Sequence, residues 1–254
     1  MIDSLRSEWI KLSTLTVVKV LAIVAVAFPV IVVALVSALS DDIVTSKDLI
    51  DLINVVAVLS AMLVGVVAAI GMTNEFNHGT IRPTFAAQPR RLQPLLAKLL
   101  VHLAFAAVLM LIVLAVSWLL GVGLSDAPSD NFPLREFNGF PVPALAALAG
   151  AGLLGVGLTM LGFGLGMLIR NTPATVSVLL LWPLVAEGLV AALLSALDND
   201  EAVRFLPYVE GINMASWNPG TDDLMGRVPG GIYFFVWVAA ITVLGLWRTN
   251  RSDA

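Results

Sequence analysis

The sequence predicts an all-α integral membrane protein with six transmembrane helices, and three observations carry that prediction. Of the 254 residues, 59% are hydrophobic and only 13% charged, with a mean hydropathy of +0.95. A soluble domain of this length needs far more charge to cover its surface. A hydrocarbon core of about 30 Å takes roughly 20 apolar residues as a helix, and six stretches reach or approach that length: residues 20–39, 52–72, 99–124, 142–169, 174–197 and 231–247. Lastly, the basic residues segregate. Arg6, Lys11, Lys19, Arg82, Arg90, Arg91, Lys98, Arg170, Arg248 and Arg251 fall on one side of a six-span chain, against Lys47, Arg135, Arg204 and Arg227 on the other.

The N-terminal segment, residues 1–19, has a helical pattern with Ile2, Leu5, Trp9 and Leu12 on one stripe. A basic helix with a Trp-bearing apolar stripe suits the membrane interface, so an interfacial helix is expected ahead of the first span. That span is not read as a signal peptide, although Val36 and Ala38 suit a cleavage site, because its apolar run exceeds the usual 7–15 residues. The fourth span is overlong and Gly-rich, which predicts a tilt or kink, and its Gly162 and Gly166 form a G-x-x-x-G that permits close helix approach. The sixth is the shortest. A basic-rich side is cytoplasmic, which places both termini in the cytoplasm of a multi-pass protein of the cell (plasma) membrane.

Three connections fall on the outer side. Residues 40–51 and 125–141 are polar or Pro-containing loops. The third, residues 198–229, spreads Phe205, Leu206, Tyr208, Ile212, Met214 and Trp217 among its charges. It either dips into the outer interface or carries plain aromatic anchors. The whole chain, 1–254, is read as one transmembrane domain: a lead-in to residue 19, a bundle over 20–247 and a short tail over 248–254.

The inner connection of residues 73–98 is the most heavily punctuated. Gly79 permits a sharp turn, Thr80 can cap, Pro83 suits a first helical turn, and Pro89 cannot continue a helix. The pattern predicts a short helix over 82–88 held between two turns.

Within the spans, one ionisable residue lies deep: Glu187. An acid at mid-depth costs about 2.5–3.5 kcal/mol on insertion scales, so it faces protein or water. Pro183, Glu187, Ala191 and Ser195 share a face at i+4 spacing. Two readings stand: Glu187, Ala191 and Ser195 line a transport path, or Glu187 is a hydrogen-bonded structural acid that fixes helix packing. His102 is expected to sit satisfied near the inner boundary.

Three segments resemble the membrane permease subunits of type-2 ABC exporters: LRSEWIKLSTL before the first span, EFNHGTIRPTFAAQPRRLQPLLAK after the second, and GMLIRNTPATVSVLLLWPLVAEGLV from the fourth into the fifth. The resemblance implies a permease that forms the substrate path while a separate ATPase subunit binds ATP and Mg and hydrolyses the nucleotide. No cofactor is expected in this chain itself. It also implies that the cytoplasmic helix after Gly79 is a coupling helix, with Glu75, Phe76, His78, Gly79, Thr80 and Arg82 as contacts toward the ATPase and Phe85 as an apolar plug. The partners implied are that ATPase, a second permease copy or paralogue forming a dimer, and membrane lipid, with no nucleic acid.

Exclusions agree with this reading. The sequence has no G-x-x-x-x-G-K-[ST] and no Gly–Lys pair, so no P-loop. It has no cysteine and only two histidines. It lacks H-E-x-x-H or another convergent set for intramembrane catalysis, so no enzymatic activity is expected of the chain. The rival function is an ion-gradient-driven secondary carrier, disfavoured by a single buried acid and no visible internal repeat.

Overall fold

The computed structural model describes residues 2–40, 45–81, 83, 92–125, 142–219 and 224–251. Among these there are helices and turns and no strand. Six helical spans among the described residues are long and apolar enough to cross a membrane. The expected short helix over 82–88, with Arg82 and Phe85, lies outside the described residues except for its Pro83.

Helix α1, Ile2–Thr14, ends where Leu15 turns extended, and α2, Thr16–Leu39, follows directly. The expected stripe on α1 is divided. Leu12 and Glu8 are buried, whereas Trp9 and Ile10 are exposed. The helix therefore turns Leu5, Glu8 and Leu12 toward the bundle and Trp9 outward. Helix α3, Ser46–Asn77, starts earlier than its apolar run because Thr45 and Asp48 form a reciprocal capping box. Helix α4 covers Leu92–Leu124 and α5 covers Val142–Ile169.

The turn after α5 is very short. Arg170 adopts φ 59°, a left-handed conformation that costs a non-glycine residue roughly 1–2 kcal/mol. Asn171 then caps α6, Thr172–Leu181, by accepting the Ala174 amide. The fifth span is interrupted by one wide π turn, Trp182–Ala186, before continuing as α7, Glu187–Ala196. Pro183 lies in this turn and has no N–H to give, and the Glu187 amide reaches back to the Trp182 carbonyl. A 3-10 turn, Asp200–Phe205, and the short α8, Pro207–Asn213, lead to the last span, α9, Arg227–Arg251.

Helices α3 and α5 form the axis of the bundle. Gly162 lies against the Gly65 carbonyl, and a Cβ on Gly65 would stand 2.8 Å from the Leu158 carbonyl. The G-x-x-x-G of the fourth span thus packs inside the chain, with Gly166 against Met72 and Ala69 of α3. Around this crossing lie Ile53, Ala57, Ala61, Leu154, Leu158, Phe234 and Val238. Two-thirds (67%) of the apolar window of α3 is buried, against 17% for the fifth span and 22% for the first, so those two are peripheral.

Contacts define two ends. At the terminal end, Lys11 of α1 meets Glu75 of α3, Asn77 donates to Thr172, and Arg248 of α9 donates to the Leu168 carbonyl at 2.6 Å. At the far end, Asn54 of α3 donates to the Ala215 carbonyl, and Leu49 sits against Gly121 of α4. Both α1 and the last turn of α9 therefore lie at the same end.

Candidate functional site

The terminal end concentrates charge where α3 leaves the bundle and α4 re-enters it. Glu8 and Lys11 come from α1, Glu75 from the last turn of α3, and Lys98 from the second turn of α4. Lys98 Nζ lies 2.6 Å from Glu8 Oε2 and 2.9 Å from Glu75 Oε1. Lys11 Nζ lies 2.9 Å from Glu8 Oε1 and 3.2 Å from Glu75 Oε1. The four groups close a ring of alternating sign in which every neighbour is an opposite charge. Lys98 and both carboxylates are buried, and Lys11 is half exposed. Partial burial pulls the Lys11 pKa down, but the hydrogen bonds and charges of Glu8 and Glu75 outweigh it and hold Lys11 above the ordinary lysine value.

The ring forms one wall of a cavity of about 270 Å³, which Asn74, His78, Thr80 and His102 also line. His102, expected to sit satisfied near the inner boundary, lies one turn beyond Lys98 of the ring. It is 3% exposed; its Nδ1–H donates to the Lys98 carbonyl (2.8 Å), while its Nε2, packed against Gly71, has no hydrogen-bond partner among the described residues, so the imidazole is satisfied on one side only.

Of the residues assigned to ATPase coupling on resemblance, Arg82 and Phe85 lie outside the described residues, and Glu75, His78 and Thr80 fall around this ring. Glu75 is in it. Thr80 donates to Glu75 Oε2, so its hydroxyl ties the chain back onto α3. Phe76 lies under the Arg170 guanidinium at 4.8 Å from the ring centroid, which links α3 to the tight turn after α5. His78 ends α3, its Nδ1 at 2.9 Å from the Asn74 carbonyl. Gly79 takes φ 65°, the left-handed turn that glycine permits at no steric cost. Helix α3 is further stitched to the same turn by Thr73, 2.7 Å from Thr172.

The residues assigned to a path gather at the far end instead, and only in part. Glu187 is 2% exposed, Ala191 half-buried and Ser195 exposed. The Glu187 carboxylate accepts the backbone amides of Tyr208 (2.8 Å) and Val209 (3.1 Å) and the Trp182 indole N–H (2.9 Å). These amides are the second and third of α8, whose N-cap is Leu206 and whose first residue is Pro207. A leucine offers no capping oxygen and a proline has no amide, so the orphan donors of the first turn take an acceptor from another helix. A carboxylate there also meets the positive end of the helix dipole.

A second buried acid, Glu210, escaped the sequence reading because it lies in a connection of apparently exposed charges. It is 0% exposed. Its Oε1 accepts the Met225 amide at 2.9 Å and its Oε2 the Asn213 side chain at 3.2 Å. Arg227 in turn donates to the carbonyls of Met214, Ser216 and Trp217. The connection between the fifth and sixth spans is therefore a folded plug, with Tyr208, Glu210 and Asn213 buried. The signal available in sequence was Leu206–Pro207, a helix start with no acceptor of its own.

None of the described His, Asp or Glu residues forms a group able to hold a metal ion. Compared with known families, the chain matches the model described as ABC-2 family transporter protein over residues 4–132, just over half of its length. None of the curated proteins compared with it matches the chain.

Proposed function

From the premise that this chain belongs to the ABC-2 transporter family and is a membrane permease of an ABC transporter, we propose that it is the permease of an ATP-driven exporter. In this reading a separate ATPase subunit docks on the segment that follows Gly79, and both termini face the cytoplasm with it. ATP and Mg belong to that subunit. A second permease, identical or paralogous, completes the complex, surrounded by lipid.

The observation that carries the reading is the rigid foot of the docking segment. Glu75 and Lys98, which bracket it in sequence, are locked to each other and to α1 by the charge ring. A stroke delivered to the segment between them is passed to α1, α3 and α4 together, because a braced support moves as a body and a loose loop does not. The rival, a carrier driven by an ion gradient, draws no support from the spans: the lone acid in the fifth span, Glu187, accepts the backbone amides that start α8.

The test is co-purification from detergent with a co-expressed ABC ATPase subunit from the same genome. Wild type retains the ATPase. Gly79→Val disfavours the left-handed turn and Phe85→Asp places a charge on the apolar plug, so the double variant inserts normally but loses the ATPase. Retention at wild-type yield overturns the docking assignment.

A further inference from the structure

Between the fifth and sixth spans, at the far end, lies a second cavity of about 270 Å³ with aromatic walls. Trp182 on the π turn, Phe205 and Tyr208 from the plug, and Phe234 and Trp237 on α9 surround the Glu187 carboxylate. Two polar features of this cavity remain unanswered by the protein. The Tyr208 hydroxyl is buried and has no hydrogen-bond partner among the described residues. The carboxylate receives three N–H groups and no Lys or Arg: among the described residues no ion pair includes Glu187. Its Oε1 takes a single donor, leaving a lone pair open.

A carboxylate whose partners are all N–H donors has no acceptor for a proton of its own. Buried without a counter-ion it is costly, and a cation entering the cavity would remove that cost. Aromatic faces are negative at the centre and attract ammonium groups without demanding a directed hydrogen bond. One native cation already uses this wall from outside: Arg204 stacks on Phe205 with its guanidinium carbon 5.2 Å from the ring centroid.

We propose that this cavity recognises an organic ammonium ion bearing one aromatic-sized apolar body, with the charge facing Glu187 and Tyr208 and the body among the rings. The volume limits the body to about that size, below the usual range for drug-sized ligands. The proposal rests on the reading of the chain as a substrate-carrying permease and names the class of substrate. Its test needs no ATPase, so failure of ATPase capture and failure of cation binding are separate results.

The experiment titrates the purified permease in lipid nanodiscs with benzyltrimethylammonium, following calorimetry and tryptophan fluorescence, with empty nanodiscs subtracted. Neopentylbenzene, which has carbon in place of nitrogen and no charge, is the matched control. The expected result is saturable binding of the cation and none of the control. Glu187→Gln, which keeps an acceptor for α8, weakens binding about thirtyfold, and Trp237→Leu about tenfold. Trp237 is half exposed on α9 and makes no part of the α8 cap, so it decides the matter if Glu187→Gln fails to fold. Equal binding of cation and control, no saturable binding, or wild-type affinity in Trp237→Leu overturns the proposal.

Discussion

Replacing Lys98 with methionine removes the buried cation of the charge ring and keeps most of its apolar stem. What remains is two carboxylates, each under a tenth exposed, with Lys11 as their shared partner. Removing one member of a buried pair costs about 3–5 kcal/mol, because the other charge is left uncompensated. Lys11 stays at 2.9 and 3.2 Å from the two acids and is reached by water, so the lower end, about 3 kcal/mol, applies. For a chain of this size that lowers the melting temperature by roughly 6–12 °C. Lys11→Met, at the exposed corner, costs about 1 kcal/mol or less.

Charge exchange then tests whether the four residues act as a ring. In an isolated pair, Glu8→Lys with Lys98→Glu restores the interaction. In the ring the same exchange puts a lysine at 8 beside Lys11 and a glutamate at 98 beside Glu75, so both remaining contacts become repulsive. Only the fourfold exchange, adding Lys11→Glu and Glu75→Lys, returns alternating sign all the way round. Thermal unfolding in nanodiscs, followed by intrinsic fluorescence, reads each variant. A twofold exchange that melts like wild type, or Lys98→Met within about 2 °C of it, refutes the ring.

Glu187→Leu deprives the Tyr208 and Val209 amides of their acceptor, at about 1–3 kcal/mol each, and lowers the melting temperature clearly, whereas Glu187→Gln, which retains an acceptor oxygen, changes it little. Gly162→Val drives a side chain into the Gly65 carbonyl where α3 and α5 cross, costing about 1–3 kcal/mol or more from overpacking; Gly123→Val, where a Cβ meets nothing within 4 Å, is the neutral control in the same melting assay. Because the chain has no cysteine, single cysteines report topology directly. Glu201→Cys should react with an impermeant thiol reagent from outside intact cells and Arg251→Cys only after lysis; the reverse pattern inverts the orientation.

The six spans were legible because a bilayer demands a run of about 20 apolar residues whatever surrounds it. Their ends were less so. Helix α3 begins at Ser46 and α4 at Leu92, both outside their apolar runs; for α3 it is the Thr45–Asp48 capping box, not hydropathy, that sets the limit. The ring was hidden for a related reason. Lys11 and Lys98 counted only toward the basic side of the chain, and nothing local reveals that residues 8, 11, 75 and 98 converge. Glu187 was conspicuous as a lone acid in an apolar run, but its partners, amides of a loop some twenty residues later, carry no mark in sequence. Glu210 sat among loop acids and looked solvated. Long-range polar pairing is what composition and periodicity miss.

The polar groups buried in this permease are arranged so that each element is held from outside itself. Helix α8 has no acceptor at its start and borrows Glu187 from the fifth span; the approach to α9 borrows Glu210 from α8. At the terminal end, the segment after Gly79 has its two flanks tied through α1. Ion pairs of this kind add little net stability, since desolvation offsets much of their attraction, and well-packed apolar residues often do as well. What they add is register: a displaced helix would leave a bare charge in an apolar setting, so only one seating of each element is tolerated. For α1 that means its position is fixed by the same charge ring that ties the two flanks of the segment after Gly79. Removing Glu8 and Lys11 together takes away that tie while leaving the Lys98–Glu75 pair intact. The stability cost should therefore be small, and the loss should appear in how firmly α1 follows α3 and α4, which a distance measurement between spin labels at Ser7 and Leu92 reads as a broadened distribution.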